Sequence, residues 1–572
     1  MFSLFGRKVR AKPQLDPSRS ADVKELLTRA DALRQNSDSS GALQLYQRAL
    51  EAEPKCLHAM YWLATLYEEA GDLPAAKEYC ERGLAIDPNQ IGLLLRIGNV
   101  AIRALDPIFA LQCYERVAKL DPEVPDLDAL MADQYCLMGR IEEGVAAFDR
   151  AIARNPQAVT LQSNRLFVLN FSKLLTPVEL FQEHRRWGAL HQSKALPSFK
   201  AESVTLDPEK RLRIGYVSPD FRDHPVAAFY EPVLEARDKR AFEIFCFDTS
   251  PAVEDAVTAR LKRSADVWKC VTDMGDEALA DTIRKSQIDI LVDLSGHTKW
   301  NRLSMFALKP APIQVTWLGY LNTTGLTAMD YRITDGYLDP AGETEHLHTE
   351  TLCRLPLHSC FLPSPQSPPV SPLPASTSGH ITFGSMNQWP KVSDEVKDTW
   401  ASLLKRVDRS RLLIVARGGQ NPVFRDRIIG EFMLRGIEAA RIRVSPALDF
   451  LPFLKLFSEI DISLDPFPYG GGTTTMQSLW MGVPVVTLKG ASAFARNSVG
   501  LLSEVGLKQL VAITPSGYVT TAAECAGNLA RLVELRAGLR ERVAASSLMD
   551  ARRFCENLES AYRSMWRNYC AA

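Results

Sequence analysis

Three things are scarce in this sequence: net charge, paired cysteines and long apolar runs. The 67 Lys and Arg are matched by 68 Asp and Glu, leaving a net charge of −1. Nucleic-acid binders carry a basic excess or stripe, so that class is set aside, whereas a small anion needs only a local pocket. The 11 cysteines lie singly and form no Cys-x-x-Cys pair; Cys353 and Cys360 have no matching partner pair elsewhere. That excludes a disulfide framework and a zinc site, and it fits a reducing compartment. No run of about 18 apolar residues occurs, so no membrane span is expected. Met1–Lys8 turns charged at once, without the apolar region of a secretory signal. The expectation is a cytoplasmic protein. Two motifs are also missing. No Gly-Lys-Thr completes a Walker loop, and no Asp-x-Asp stands between strands, which fits a site working without metal.

What is present begins with size. The chain has 572 residues, 46% hydrophobic and 24% charged, which is ordinary globular composition and enough for three or four domains. A repeat then appears. Glu53-Pro54, Asp87-Pro88, Asp121-Pro122 and Asn155-Pro156 recur every 34 residues. Ala42, Ala76, Ala110 and Gly144 form a small-residue column in the same phase. Tyr46, Cys80, Tyr114 and Phe148 form a packing column four residues on, followed by Leu50, Leu84, Ala118 and Ile152. Gly71 and Gly139 mark turns inside the unit, with Leu105 at that place in the middle repeat. Proline separates one helix from the next, the small residue lets paired helices approach, and the aromatic fills the gap between pairs. A 34-residue unit of this kind resembles the tetratricopeptide repeat. Such units stack into a superhelix with a concave binding face. Leu161–Leu169 and Pro177–His191 continue helical and read as a cap and joint.

From Leu212 the texture changes. β-branched and aromatic runs (Leu212–Val217, Glu243–Phe247, Ile288–Val292, Ile313–Trp317) alternate with helical stretches such as Asp276–Ser286. Strands alternating with helices mean a parallel sheet covered on both faces. Leu362–Gly379 holds six prolines and reads either as a surface loop or as an interlobe connector. Alternation then restarts, with strands at 381–384, 412–415, 441–444, 462–464 and 485–488 and helices at 393–406, 450–459, 473–481 and 494–505. The tail from Ala522 to Tyr569 is nearly all helical. Two doubly wound units in tandem leave a cleft at the carboxyl ends of their strands, where ligands of such folds bind.

Three segments face that cleft. Asp465-Pro466-Phe467-Pro468-Tyr469-Gly470-Gly471-Gly472-Thr473-Thr474-Thr475-Met476-Gln477 follows a strand and opens a helix. Glycines let the backbone approach an anion, the helix start attracts phosphate, and three threonines add hydroxyls; as a structural feature alone, Thr473 reads as a helix cap. Asn387-Gln388-Trp389-Pro390-Lys391 ends another strand, with a lysine able to neutralise a departing diphosphate. Asp220-Phe221-Arg222-Asp223-His224-Pro225 follows the first strand of the first lobe, where a histidine serves as base or orients a hydroxyl.

Taken in this order behind the repeats, these segments resemble the O-linked N-acetylglucosamine transferases, especially the shorter bacterial ones. The likeness extends through Gly215–Phe221 with His224-Pro225, Ser295-Gly296-His297-Thr298-Lys299, Phe306–Val315 with Trp317-Leu318-Gly319-Tyr320, Met329-Asp330-Tyr331 with Ile333-Thr334-Asp335, and Asn387-Gln388 with Lys391. The resemblance implies a tetratricopeptide superhelix followed by two Rossmann-like lobes of GT-B type. It also implies inverting transfer of N-acetylglucosamine from UDP-GlcNAc to Ser and Thr of proteins, with no cofactor and no metal. By position, His224 matches an active-site histidine and Lys391 the lysine on the donor diphosphate. Gln388, Thr473 and Thr474 match donor-binding residues; Phe453 stands where a residue covers the uracil ring, Leu448 where a backbone contacts it, and Gly319 in a turn facing the sugar. Gly472, Thr475 and Gln477 complete the expected donor site. Gly472 replaces a histidine beside the phosphates, Gln477 a ribose-binding aspartate, Phe450 and Leu456 basic residues near the uridine, and Pro390 a tyrosine. Those departures leave GDP-fucose as a rival donor, and a non-catalytic nucleotide-binding scaffold as a rival role. Expected partners are UDP-GlcNAc and protein acceptors along the concave face, not nucleic acid or membrane. Expected segments are a tail at 1–20, repeats at 21–156, linking helices at 157–206, lobes at 207–375 and 376–520, and C-terminal helices at 521–572.

Overall fold

The computed structural model describes residues 21–192 and 206–571; the expected tail at 1–20 and residues 193–205 of the expected joint lie outside the described residues. The first unit pairs α1 (Ala21–Gln35) with α2 (Ser39–Ala52), α3 (Leu57–Ala70) with α4 (Leu73–Ile86), α5 (Ile91–Arg103) with α6 (Pro107–Leu120), and α7 (Leu127–Leu137) with α8 (Ile141–Arg154). The repeat prolines act as the sequence implies. Glu53, Asp87, Asp121 and Asn155, each just before its proline, take extended φ between −127° and −150° and end the second helix of each pair. Inside the pairs, Gly71 and Gly139 turn the chain with φ of +86° and +76°. Leu105 takes the same left-handed conformation at φ +59° with a side chain attached. Ala42, Ala76 and Ala110 are fully buried, and a β-carbon on Gly144 would overlap the Cys136 sulfur. A further period lies in the caps: Asp38, Asp72 and Asp106 each accept a hydrogen bond from the first turn of the second helix.

The second unit begins with α9 (Val159–Leu169) and α10 (Pro177–His191). Thr176 and Glu179 form a capping box ahead of Pro177. α10 packs backbone to backbone on the first lobe, where a β-carbon on Gly188 would overlap the Gly325 carbonyl oxygen. His184 donates from Nδ1 to the Leu180 carbonyl at 2.7 Å and accepts the Tyr320 hydroxyl at Nε2, also at 2.7 Å. Burial holds this imidazole neutral, at a pKa of about 4.

The first lobe runs β1 (Leu212–Ser218), α11 (Ala227–Ala236), β2 (Phe242–Asp248), α12 (Ala256–Ser264), β3 (Val267–Cys270), α13 (Asp276–Lys285), β4 (Ile290–Asp293), α14 (Leu303–Phe306), β5 (Ile313–Thr316), β6 (Tyr331–Asp335) and β7 (Thr351–Leu355). Its seven strands lie in the order β3-β2-β1-β4-β5-β6-β7, all parallel. The second lobe runs, after α15 (Ala375–Ser378), through β8 (Thr382–Ser385), α16 (Asp394–Arg406), β9 (Arg411–Ala416), α17 (Pro422–Met433), β10 (Ile442–Pro446), α18 (Phe450–Leu456), β11 (Ile462–Leu464), α19 (Thr473–Trp480), β12 (Val485–Leu488), α20 (Asn497–Glu504) and β13 (Val511–Ala512). Its order is β10-β9-β8-β11-β12-β13. Strands β3, β6, β7 and β13 escape a reading by hydrophobic pattern; β6 is largely buried but mixes apolar with charged and polar residues. β3 and β7 are short and half-exposed, and β13 has two residues.

The tail forms α21 (Pro515–Ala526), α22 (Leu529–Ala544) and α23 (Ala551–Ala571). α23 returns to the first lobe, burying Phe554, Leu558, Tyr562 and Trp566 in a core with Leu212, Ile214 and Trp317. The proline-rich stretch is an ordered connector. Arg540 donates to the Pro368 carbonyl at 2.7 Å, Arg536 to the Ser371 carbonyl at 2.9 Å, and Asp461 accepts from the Ala375 N–H at 2.9 Å. No helix among the described residues is long and apolar enough to cross a membrane.

The α10 seam admits no side chain at residue 188. Gly188→Val should therefore destabilise the chain by roughly 1–3 kcal/mol, the usual cost of overpacking. Chemical denaturation of the purified variant checks this; a midpoint equal to wild type would show that the seam yields.

Candidate functional site

Each sheet reverses its strand order once, at β1/β4 and at β8/β11. At such switch points the loops on either side diverge and leave a crevice. In the second lobe that crevice lies between the loop after β8, Met386–Lys391, and the loop after β11, Asp465–Gly472.

One buried carboxylate holds these loops together. Asp465 is 1% exposed. It accepts hydrogen bonds from Asn387 Nδ2 (3.2 Å), the Gly471 N–H (2.6 Å), Thr487 Oγ1 (2.8 Å) and Ser498 Oγ (2.6 Å). Burial pushes its pKa up, while Ser498, Thr487 and the charge of Lys391 pull it down; the net direction is upward. A side chain on Gly470 or Gly471 would press on this carboxylate, with β-carbons 3.0 and 2.8 Å from its oxygens. The glycines thus serve a close approach to an internal anion as well as to a ligand.

Lys391 lies across the same loop. Its Nζ donates to the Gly470 carbonyl at 3.2 Å and stands 4.4 Å from the Tyr469 ring centroid. Burial lowers its pKa to about 8, against the pull of Asp465. Tyr469 stacks on Phe494 (5.4 Å, 13°) and meets Phe171, from the turn after α9, edge-on at 5.2 Å. Asn170 in that turn donates to Tyr320 at 2.8 Å and accepts from Asn322 at 2.9 Å, and Lys173 pairs with Glu395. Three residues of one turn therefore touch both lobes beside the lysine.

The three threonines separate in role. Thr474 donates its hydroxyl to Asn387 Oδ1 at 3.1 Å. Thr475 is buried and pairs with Ser498 at 2.9 Å, inside the loop's support. Thr473 is the first residue of α19 rather than its cap, which is Gly472. The first-turn N–H groups of Thr473 and Thr474 have no carbonyl partner among the described residues, so this helix start retains donors for an anion. Gln388 is exposed at the mouth of the crevice and Gln477 half-buried on α19.

Phe453 is half-buried on α18, edge-on to Phe457 at 5.6 Å, and packs on a cluster holding Met386 and Val415 at the ends of β8 and β9. Leu448 is 38% exposed just before it. Leu456, expected near a nucleoside, is a core residue of that cluster.

On the first lobe, Gly319 lies where a β-carbon would overlap the Leu294 carbonyl oxygen, so it joins the loops after β4 and β5. His224 follows β1. Its Nδ1 stands 3.5 Å from Asp220 and accepts the Val226 N–H at 3.4 Å. The separation suits an ion pair, yet burial drives both groups toward neutrality. The imidazole falls to about 3, with Arg222 beside it adding to the shift, and Asp220 rises to about 7 against the pull of Arg222. The accepted N–H leaves the imidazole proton on Nε2. Among the described residues no hydrogen bond joins His224 to the Lys391 crevice.

Sequence reasoning reached Lys391, Thr473 and His224 but not the residues that hold them. Asn387 and Asp465 lay inside the quoted motifs without a role, and Ser498 carried no signal.

A model of glycosyl transferase family 41 matches residues 189–363 and 373–558, and a tetratricopeptide-repeat model matches residues 27–91. A Petunia hybrida protein named probable UDP-N-acetylglucosamine–peptide N-acetylglucosaminyltransferase SPINDLY is 40% identical over 423 residues, 73% of this chain and 45% of that protein. An Arabidopsis thaliana relative named probable UDP-N-acetylglucosamine–peptide N-acetylglucosaminyltransferase SEC is 31% identical, over 63% of this chain and 38% of its own length. The chain thus spans under half the length of these curated relatives. Among solved structures, a mutant of the Thermobaculum terrenum O-GlcNAc transferase superposes with TM-score 0.76 at 33% identity, covering 97% of this chain and 99% of that one.

The two charged residues of the crevice should respond oppositely to removal. Asp465→Ala strands four donors and should cost roughly 2–4 kcal/mol, as buried unmade hydrogen bonds do. Lys391→Met removes a desolvated charge and should leave stability equal or higher. Urea unfolding of both variants measures this; the reverse order would contradict the assignment of support to Asp465.

Proposed function

The chain belongs to glycosyl transferase family 41, and from that premise we propose that it transfers N-acetylglucosamine from UDP-GlcNAc to Ser or Thr hydroxyls of protein acceptors. The observation that carries the reading is the meeting of a desolvated lysine, a glycine turn and an open helix start at one switch point. A lysine cation and unpartnered helix-start N–H groups, beside a turn of small residues that lets a ligand approach, suit a diphosphate. The names of the relatives point to the same donor. In this reading residues 376–520 form the donor-binding lobe, 207–375 the acceptor side, and the concave face of the repeats receives the acceptor protein. Phe453 and the Leu448 backbone flank the nucleobase, Gln388 and Gln477 reach the donor from the rim, and the turns at Gly319 and Gly472 border it.

The acceptor oxygen attacks the anomeric carbon opposite the leaving UDP. Charge grows on the diphosphate, where Lys391, the Thr473 hydroxyl and the N–H groups of Thr473 and Thr474 stabilise it. His224 acts by orientation. With its pKa near 3 it is a poorer proton acceptor than a phosphate oxygen, whose second pKa is about 6. Its Nε2–H is placed to hold the sugar or the acceptor, and the acceptor's proton leaves with the diphosphate or to water.

Labelling of a peptide acceptor with UDP-GlcNAc, run beside GDP-fucose, tests the reading. Transfer from UDP-GlcNAc supports it. Transfer from GDP-fucose alone makes the chain a fucosyltransferase, and none from either makes it a scaffold. Lys391→Ala should lower turnover by about 10²–10³, the usual loss for a preorganised donor. His224→Ala should lower kcat while donor affinity stays near wild type.

The lysine also sets a pH limit. Its cation exists below the lowered pKa of about 8, so kcat/KM for the donor should hold at pH 7 and fall as pH rises through 8. The fall should reach about tenfold by pH 9, one unit above the pKa. A flat profile to pH 9.5 would remove Lys391 from the charge-stabilising role.

A further inference from the structure

α20 starts beside the glycine turn, and its first residues are fixed one after another. The Phe494 carbonyl accepts the Gly470 N–H at 3.1 Å. Arg496 donates to the Gly490 carbonyl at 2.8 Å and reaches the first lobe at the Leu338 carbonyl and Glu343. Ser498 donates to Asp465 at 2.6 Å and lies 3.0 Å from the Gly471 carbonyl. Asn497, between them, is the exception. Its carboxamide makes no hydrogen bond to any described residue, although it is only half-exposed. Its nitrogen occupies the space a side chain on Gly472 would fill, since a β-carbon there would overlap Nδ2.

That position is the hinge of the anion site. Gly472 is the residue from which α19 begins, immediately before the unpartnered N–H groups of Thr473 and Thr474. The turn's other amides are already spent, Gly470 N–H on Phe494 and Gly471 N–H on Asp465. A neutral N–H donor standing over Gly472, with neighbours on both sides anchored, replaces the donors the turn has lost.

We propose that the Asn497 carboxamide binds the donor diphosphate through Nδ2, and that Gly472 is glycine to admit it. The proposal rests on the diphosphate reading above. Lys391, held at the Gly470 carbonyl, supplies charge to the phosphates; Asn497, beside Gly472, supplies a directional, neutral hydrogen bond. It therefore acts on the diphosphate and not on the nucleoside.

The test is calorimetric binding of UDP and of uridine to the full chain, with thermal midpoints recorded for every variant. Asn497→Ala should weaken UDP about tenfold and leave uridine unchanged. Asn497→Asp, which puts a carboxylate against the phosphates, should weaken UDP by more than Asn497→Ala does. Gly472→Ala should weaken UDP in the wild-type background, where it displaces the amide, and have little further effect in Asn497→Ala, where the space is vacant. Full UDP affinity in both Asn497 variants, with Lys391→Ala impaired, overturns the role of Asn497 and leaves the diphosphate site standing. Full affinity in Lys391→Ala as well overturns the site itself. Equal losses for UDP and uridine, or additive losses in the double variant, would make Asn497 a structural residue and overturn the proposal.

Discussion

A single buried carboxylate organises the crevice between the loops after β8 and β11. Asp465 collects hydrogen bonds from four separate stretches: the loop after β8, the glycine turn, β12 and the start of α20. Without water to satisfy it, an anion there must gather donors from the protein, and gathering them brings Asn387, Gly471 and Ser498 to fixed places. Lys391 and the start of α19 then take position from those anchors. The desolvated cation of the crevice is thus set in place by a buried anion beside it. The lysine is also partly compensated when the site is empty, through the field of Asp465 and the Tyr469 ring.

The turn after α9 extends this organisation beyond the lobes. Asn170 joins Tyr320 and Asn322, Phe171 packs against Tyr469, and Lys173 pairs with Glu395. Tyr320 is bonded in turn to His184 on α10, and the Gly188–Gly325 approach leaves that seam no slack. The linking helices are therefore part of the crevice wall, and a truncation placed after His191 would strip the Tyr469 ring of its edge contact and both lobes of a shared brace.

Much of this was legible in the sequence because it is periodic or punctuated. The 34-residue step of Pro54, Pro88, Pro122 and Pro156 fixes helix ends through local backbone sterics, which do not depend on the rest of the fold. The strand-then-glycine segment at 465–472 and the strand-then-lysine segment at 387–391 were legible for the same reason. What escaped was non-local. Ser498 looks like any helical serine until the fold sets it against Asp465. Thr475 reads like its two neighbours, yet helix geometry turns its hydroxyl inward at the third position. Leu456 follows the nucleoside-side segment in sequence, but the phase of α18 sends it into the core. Leu362–Gly379 has the composition of a loose linker, and it is ordered by Arg536 and Arg540, more than 160 residues away in the chain.

The charge states of the two lobes argue for a division of labour. The second lobe keeps a cation and open N–H donors where a dianionic leaving group would gather charge. The first lobe holds His224 and Asp220 side by side, and burial there favours the uncharged form of both. In the proposed reading, a protonated histidine on that side would draw the diphosphate toward the acceptor. The uncharged imidazole does not, and it still offers one directed N–H. In the same reading, an uncharged imidazole on the first lobe leaves the charge of the departing group to be stabilised on the Lys391 side.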